Sequence, residues 1–189
     1  MQKIIKDEIQ ASLDTKKEIL KSLVPKIEKA ADSILTSLKN RGKVLICGNG
    51  GSAADSQHFA AELIGRYKKE RNSIPAIALT CDTSILTSIG NDYGFEKVFS
   101  RQVEGLGNKG DILVGISTSG ESKNVVEAMA MARSRGLLTI GLLGCGGGRI
   151  AEACDLSVIV PCNDTPRIQE AHILIIHILC LIIEEELSK

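Results

Sequence analysis

Aromatic residues are scarce in this sequence: tryptophan is absent, and aromatic side chains make up 3% of the 189 residues. Proteins that bind single-stranded nucleic acid stack bases on aromatic rings, and membrane-spanning proteins place aromatic belts at the lipid interface, so both classes are disfavoured. Net charge is lacking too, because 23 lysines and arginines balance 23 aspartates and glutamates. A basic field that attracts nucleic acid or anionic membranes is excluded, so an anionic ligand must be bound locally.

Long hydrophobic runs are also missing. The longest apolar stretch, residues 173–183, is interrupted by His177 and is shorter than the roughly 20 residues of a membrane-spanning helix, so it is typical of a core helix. Residues 3–18 interleave acidic and basic side chains and lack the charged-then-apolar order of a signal peptide. We therefore expect no membrane association and a cytoplasmic location.

Paired cysteines are the third absence, since no Cys-x-x-Cys motif occurs among the six cysteines. Each cysteine lies within an apolar strand or helix pattern, which favours reduced thiols in the core over a disulfide framework or a thiolate-bound metal. The six are Cys47, Cys81, Cys145, Cys154, Cys162 and Cys180.

What the sequence does contain is an alternation of helix and strand patterns. Apolar residues within residues 2–40 recur at helical spacing, which predicts two amphipathic helices that separate near Pro25. Short apolar, β-branched runs follow at 44–47, 76–79, 112–116, 138–142 and 156–160, and helical patterns separate most of them at about 53–65, 83–105 (broken near Gly90), 123–135 and 167–187.

This alternation predicts an α/β fold, namely a three-layer α/β/α sandwich with a five-stranded parallel sheet, preceded by two N-terminal helices. The length fits one domain, residues 1–189, in which residues 1–40 form a helical extension. In open parallel sheets ligands bind beyond the carboxyl ends of the strands, so the chemistry should lie in the loops there.

A cluster of hydroxyls follows the third predicted strand. Ser117, Thr118, Ser119 and Ser122 precede a helical pattern that begins near Lys123. The unpaired N–H groups and the dipole at a helix N-terminus favour a phosphate, to which hydroxyls can donate. One hydroxyl would suffice as a helix cap, so four of them favour a phosphate site. The Gly-Lys-Ser/Thr ending of a nucleotide P-loop is lacking, and no nucleotide cofactor is expected.

A glycine-rich loop, Gly48-Asn49-Gly50-Gly51-Ser52, follows the first predicted strand. It does not match the Gly-x-Gly-x-x-Gly spacing of dinucleotide sites, but its glycines allow a ligand to approach the backbone closely. On the next helix, His58 and Glu62 are four residues apart and share one face. That spacing permits metal ligation or acid/base work, and it is also the spacing of ordinary surface contacts. Arg66, one turn further, could meet an anionic substrate or solvent.

Two histidines lie in the apolar last helix. His172 is interpreted as a core residue. His177 lies in a stretch that is apolar nearly all round, so it must face a polar cavity or another chain. Asn91 and Asp92 lie in a Gly-Asn-Asp-Tyr-Gly sequence, which by itself predicts only a turn.

Together these stretches resemble the sugar isomerase domain family and, within it, the phosphoheptose isomerases. The resemblance spans the whole chain and is carried by residues 48–52, 58–67, 90–92, 115–122 and 167–170. It implies an isomerase that converts sedoheptulose 7-phosphate to D-glycero-D-manno-heptose 7-phosphate, the first step toward the heptose of bacterial envelope polysaccharides.

The resemblance also implies a role for each matching residue. Ser117, Thr118, Ser119 and Ser122 would bind the phosphate, and the sugar would be held by Asn49, Gly50, Gly51, Ser52, Glu62, Arg66, Asn91, Asp92 and Gln169. Glu62 and His177 would be the acid/base pair that moves protons through an enediol. One zinc ion per subunit could be held by His58, Glu62, Gln169 and His177, where it would compete with the pair or polarise the carbonyl.

One departure from the family lies before the last helix. Some members have an acidic residue three positions ahead of the glutamine, where this chain has Pro166. Asp164 or Thr165 could substitute for the contacts of that residue.

Helical geometry bears on which chain supplies His177. Gln169 and His177 are eight residues apart, so on one straight helix about 12 Å of rise and about 80° of rotation separate them. We therefore expect His177 to reach the pocket of His58, Glu62 and Gln169 from a neighbouring subunit. A symmetric oligomer, a tetramer as the resemblance implies, would also cover the apolar faces of the outer helices.

Two other functions fit the same residues. The first is a non-catalytic domain that binds a phosphosugar or a protein, since a fold alone does not fix a function. The presence of Glu62 and His177 disfavours it. The second is another phosphosugar isomerase, which an assay with pentose and hexose phosphates would reveal.

Overall fold

The structure is a computed structural model in which residues 1–188 are described. Two helices come first, α1 (Gln2–Ser22) and α2 (Val24–Lys39). Pro25 lies in the first turn of α2, where its missing N–H group has no intrahelical partner to lose. The two predicted leading helices are therefore confirmed, with their break at Leu23.

The strands form one parallel sheet of five members, in the order β2-β1-β3-β4-β5. They are β1 (Val44–Gly48), β2 (Ala76–Ala78), β3 (Ile112–Ser117), β4 (Leu138–Leu143) and β5 (Leu156–Ile159). The chain moves outward from β1 to β2 and then returns to β3 on the other side of β1. This reversal opens a crevice at the carboxyl ends of β1 and β3, where Gly48 is in register with Ile116.

Helices cover both faces of the sheet, as predicted. They are α3 (Gly51–Ile64), α4 (Thr83–Tyr93), α5 (Ser100–Leu106), α6 (Lys123–Ser134), α7 (Gly148–Ala153) and α8 (Thr165–Leu187), with a short 3-10 turn at Phe95–Lys97. Successive residues of β1 alternate between two cores. Val44 and Ile46 pack with α2, α3 and α8, whereas Leu45 and Cys47 pack with α5, α6 and α7. The three-layer sandwich is confirmed.

The region between β2 and β3 differs from the prediction. Helix α4 runs through Gly90 and ends at Gly94, whose φ of 91° is the conformation that glycine adopts most easily. Asn91 and Asp92 therefore lie in the last turn of α4, and the predicted turn at these residues is wrong. The six-residue helix α7 was not predicted, because glycines dominate the sequence before it and its pattern is short.

The cysteines also differ from the prediction in their burial. Cys47 and Cys180 are buried core thiols, and burial raises the pKa of each to about 12. Cys81 and Cys145 are exposed, and the other two are partly buried. All six are free thiols, as expected, but the interpretation that all belong to the core is wrong.

Helix α8 is the one helix among residues 1–188 that is long and apolar enough to span a membrane by length and composition. Half of its most apolar stretch, 50%, is buried inside the protein, where α8 packs on α2 and α3. Its buried residues include His172 and Glu184. These contacts are those of a core helix.

Candidate active site

The serine loop, residues 117–122, folds around one buried hydroxyl. Ser117 is 3% exposed, and its Oγ lies 3.1 Å from Ser122 Oγ and 3.5 Å from Ser119 Oγ. The N–H of Gly120 donates to the same oxygen at 3.1 Å. Gly120 has a φ of +71°, and a Cβ there would lie 2.1 Å from the Gly147 carbonyl oxygen, so only glycine fits. Three hydroxyls therefore converge at the N-terminus of α6.

A reciprocal pair of amide hydrogen bonds joins the glycine-rich loop to the first turn of α6, directly after the serine loop. Asn49 Nδ2 donates to Asn124 Oδ1 at 2.9 Å, and Asn124 Nδ2 donates to Asn49 Oδ1 at 2.8 Å. Both residues line a cleft of about 280 Å³ together with Phe95, Glu96, Ser122 and Lys123. Asn124, Phe95 and Glu96 were not predicted from the sequence, since an asparagine in the first turn of a helix carries no pattern of its own.

Helices α3 and α8 lie side by side and run in the same direction. Gly51 of α3 faces Gln169 of α8, because a Cβ at Gly51 would lie 2.4 Å from Gln169 Nε2. Seven residues later on α3, His58 meets His177. The opposite face of α3 is held on the sheet by Phe59 and Leu63, both fully buried, and burial of each stabilises the fold by about 1.5–3 kcal/mol. This packing turns His58 and Glu62 toward α8.

A cluster of one carboxylate and two imidazoles results, and we call it the His–Glu–His cluster (His58, Glu62, His177). His58 Nε2 lies 3.1 Å from His177 Nε2 and 3.2 Å from Glu62 Oε1. One ligand atom from each residue lies within 4.8 Å of the others. The side chains of His58 and Glu62 are 43% and 24% exposed, so a substrate can reach them.

The structure forms this cluster within one chain, so the expectation that a neighbouring subunit supplies His177 is wrong. The reasoning failed because it required Gln169 and His177 to meet at one point. Since α3 runs parallel to α8, each of the two residues instead contacts a different turn of α3. Gln169 lies at the first residue of α3, and His177 lies two turns further along.

Two further side chains border the cluster and were not singled out from the sequence. The Tyr67 ring lies 5.7 Å from the His177 ring, centroid to centroid. Asp55 lies one turn before His58, and its Oδ2 is buried without a hydrogen-bond partner. Burial raises the pKa of Asp55 to about 6, although the nearby His58 lowers it in part. The helical spacing of Asp55 from His58 was the signal that could have identified it.

Three of the expected substrate residues are not joined to the cluster. Arg66 is exposed, and its Nε lies 3.8 Å from Glu70. Asn91 donates to its neighbour Asp92 at 2.8 Å, and both are exposed at the end of α4. Their contacts within residues 1–188 are thus with close sequence neighbours.

His172 lies wholly inside the protein, as interpreted from the sequence. It is 0% exposed, and neither ring nitrogen makes a hydrogen bond of normal geometry. Burial lowers the pKa of His172 to about 4, although the Leu143 backbone offsets part of this shift. The ring is therefore neutral at physiological pH, and its burial keeps it away from a ligand.

The donor set of the His–Glu–His cluster fits a zinc ion. Zinc binds imidazole nitrogen and carboxylate oxygen in tetrahedral geometry, and two nitrogens that are each about 2.0–2.1 Å from the ion lie roughly 3.4 Å apart. The distances of 3.1 Å between the two Nε2 atoms and 3.2 Å from His58 to Glu62 are close to that value. Gln169, the fourth ligand that the resemblance implies, lies beside Gly51 at the start of α3.

Fold and site together define a sugar-phosphate-binding α/β domain, and the comparisons agree. The sequence profile of the SIS domain family matches residues 9–144. A phosphoheptose isomerase of Helicobacter hepaticus is 61% identical over 189 residues, which cover 100% of this chain and 96% of the relative. That of Aliarcobacter butzleri is 56% identical over 188 residues and 100% of both chains.

A solved structure shows the same architecture. The phosphoheptose isomerase of Neisseria gonorrhoeae superposes with a TM-score of 0.93 at 50% identity, over 97% of this chain and 98% of that one. The chain therefore belongs to the SIS domain family and, within it, to the phosphoheptose isomerases.

Proposed function

We propose that this protein is an isomerase that converts sedoheptulose 7-phosphate to D-glycero-D-manno-heptose 7-phosphate in the biosynthesis of heptose for envelope polysaccharide. The observation that carries the proposal is the His–Glu–His cluster between α3 and α8, since α3 begins at the same sheet edge as the serine loop. The phosphate is assigned to the start of α6 and proton transfer to the cluster. The relatives that carry the name phosphoheptose isomerase supply the substrate class.

The serine loop is the anchor for the phosphate. Hydroxyls of Thr118, Ser119 and Ser122 donate to the phosphate oxygens, and the N–H groups at the start of α6 add their dipole. Ser117 has a different task, because its buried Oγ already organises the loop. The glycine-rich loop, residues 49–52, and Gln169 border the sugar chain, and Arg66, Asn91 and Asp92 complete the rim.

Proton transfer falls to Glu62 and His177. Glu62 removes a proton from C1 of the open-chain ketose and returns it to C2, while His177 moves the hydroxyl proton from O1 to O2. The intermediate is an enediol, and no net oxidation occurs. A zinc ion held by His58, Glu62 and His177 would polarise the carbonyl when bound. The cluster's donor geometry supports such binding.

Assembly into a homotetramer, the state that the resemblance implies, is part of the proposal. Helix α1 buries only Thr15 and Ile19 within the chain. On its surface it leaves a row of large apolar side chains exposed: Ile5 at 58%, Ile9 at 56% and Leu13 at 47%. Single chains seldom leave such a stripe uncovered, and a second copy would cover it. We place the whole chain, residues 1–189, in one cytoplasmic domain with residues 1–40 as its helical extension.

The decisive experiment assays the purified protein with sedoheptulose 7-phosphate and, in parallel, with pentose and hexose phosphates. We expect turnover of the heptulose phosphate at a kcat/KM far above the others. Glu62→Gln keeps the side-chain shape and should lower kcat by roughly 10²-fold, the usual size of a general-base contribution. Glu104→Gln, an exposed carboxylate of α5, is the matched control and should leave kcat unchanged. Faster turnover of a shorter sugar phosphate, or full activity of Glu62→Gln, would overturn the assignment.

A further inference from the structure

A buried carboxylate ties the segment after α3 to the end of α8. Glu184 is 0% exposed and accepts backbone N–H groups from Tyr67 at 2.9 Å, Lys68 at 2.7 Å and Lys69 at 2.9 Å. Arg71 Nε donates to it at 3.2 Å. Burial alone would raise the pKa of Glu184, but these donors hold it below the usual value. Glu184 is thus a fully partnered, ionised group inside the protein.

Arg71 extends this contact to the end of α3. Its Nη2 donates to the Glu62 carbonyl at 2.7 Å, and its Nη1 donates to the Leu63 carbonyl at 2.9 Å. Helix C-termini leave carbonyls without intrahelical partners, and the guanidinium supplies donors and positive charge there. The residue whose carbonyl Arg71 holds most closely is Glu62 itself. The Glu184–Arg71 pair therefore contacts both helices that carry the His–Glu–His cluster.

Helical spacing places Glu184 on the same face of α8 as His177 of the cluster. Glu184 is seven residues after His177, which puts both on one face of α8 two turns apart. Two polar contacts thus connect these elements along the same side, His177 with His58 and Glu184 with the segment after α3, and Gln169 packs against Gly51 two turns before the first of them. The contact of Glu184 also fixes the backbone of Tyr67, whose ring lies beside His177.

We infer that Glu184 and Arg71 are positioning residues that hold α3 and α8 at the separation which brings His58 and Glu62 to His177. The inference rests on the proposed function, because it assigns these residues to the isomerase reaction. They lie outside the cluster and act through the helices. A displacement of reacting groups by about 1 Å can lower the rate by about 10²-fold. Loss of the Glu184–Arg71 contacts should therefore lower kcat.

The test compares Glu184→Gln and Arg71→Lys with Asp111→Asn. Asp111 is a matched control, because it is also buried and accepts from Lys43 N at 2.9 Å, Lys43 Nζ at 2.5 Å and Asn108 N at 2.8 Å. It lies just before β3 begins, where it ties the start of β1 to the turn that precedes β3. Arg71→Lys keeps the charge and loses the fork to the α3 carbonyls, so it remains informative if Glu184→Gln does not fold.

Two measurements are made on variants that are fully folded at the assay temperature. Kinetics with sedoheptulose 7-phosphate should show kcat reduced about tenfold or more in both test variants with KM within about threefold, since the serine loop is untouched. The chain has 3 histidines, so ring NMR signals are easily assigned. The through-space signal between the His58 and His177 rings should weaken in both test variants and persist in Asp111→Asn.

The outcomes separate the two proposals. If the wild type does not turn over the heptulose phosphate but both test variants lose the ring signal that the wild type shows, the proposed substrate is refuted and the positioning role is retained. A wild type that is active, with test variants that match Asp111→Asn in both kcat and the ring signal, would refute the positioning role alone.

Discussion

Mixing two inactive variants tests whether the His–Glu–His cluster belongs to one chain. The variants are Glu62→Gln, which removes the base, and His177→Ala, which removes the second imidazole. The side chains of both residues meet His58 of the same chain, at 3.2 Å and 3.1 Å. Every chain in a mixed oligomer therefore carries one damaged cluster. We expect no recovery of activity after subunit exchange.

A cluster formed between two subunits predicts a clearly different recovery of activity. If His177 came across a two-fold interface, random exchange at an equal ratio would make about half of the interfaces mixed, and one of the two sites in each would be intact. About a quarter of all sites would then be active. Because each single change should lower kcat by roughly 10²-fold, the background is about 1% of wild type and a recovery to a quarter is easily measured.

The assay uses two differently tagged variants, and sequential purification on both tags demonstrates that mixed oligomers have formed. Mixing each variant with wild type under the same conditions measures any loss caused by handling. Turnover of sedoheptulose 7-phosphate near a quarter of the wild-type value would refute the one-chain cluster. Turnover that stays at the background of the separate variants would support it.

Two more predictions follow from the serine loop and from the buried histidine. Ser122→Ala should raise KM for the sugar phosphate more than it lowers kcat, because the loop supplies binding, and an unchanged KM would contradict the phosphate site. The pKa of His172 is about 4 in the folded protein, against an ordinary value of 6.5. As pH falls below 6.5, His172 is therefore protonated in the unfolded chain while it stays neutral in the folded protein. Between pH 6.5 and 4 the wild type should lose about 3 kcal/mol more unfolding free energy than His172→Leu, measured by denaturant titration.

Much of the fold follows from local sequence patterns that can be read without knowledge of tertiary contacts. The five apolar runs became the strands because each is short and apolar, and the three central strands, β1, β3 and β4, are buried almost throughout between the two cores. The end of α4 could not be predicted in the same way. Gly90 lies inside the helix at a position where a Cβ would also fit, 3.9 Å from Val98, whereas Gly94 adopts a positive φ. That choice depends on tertiary contacts.

The site residues likewise divide into those that local sequence patterns predict and those that depend on tertiary contacts. The hydroxyl cluster and the His58–Glu62 pair were visible because their members are close in sequence and their chemistry depends on spacing. The contact between His58 and His177 spans 119 residues and follows from the parallel packing of α3 and α8, which the sequence pattern does not encode. Glu184 was hidden for another reason. It begins a run of three glutamates that resembles a solvated helix end, although its carboxylate is wholly buried.

The reciprocal amides of Asn49 and Asn124 restrict how this sequence can change. Each side chain gives one N–H and receives one, so the pair is complementary only while both members are amides. Changing one asparagine to aspartate would place two hydrogen-bond acceptors opposite each other. Changing Asn49 to leucine would leave the side-chain N–H of Asn124, which is only 3% exposed, without a partner. The two positions, 75 residues apart in the chain, are therefore expected to change together. Libraries that alter substrate preference should therefore randomise both positions jointly.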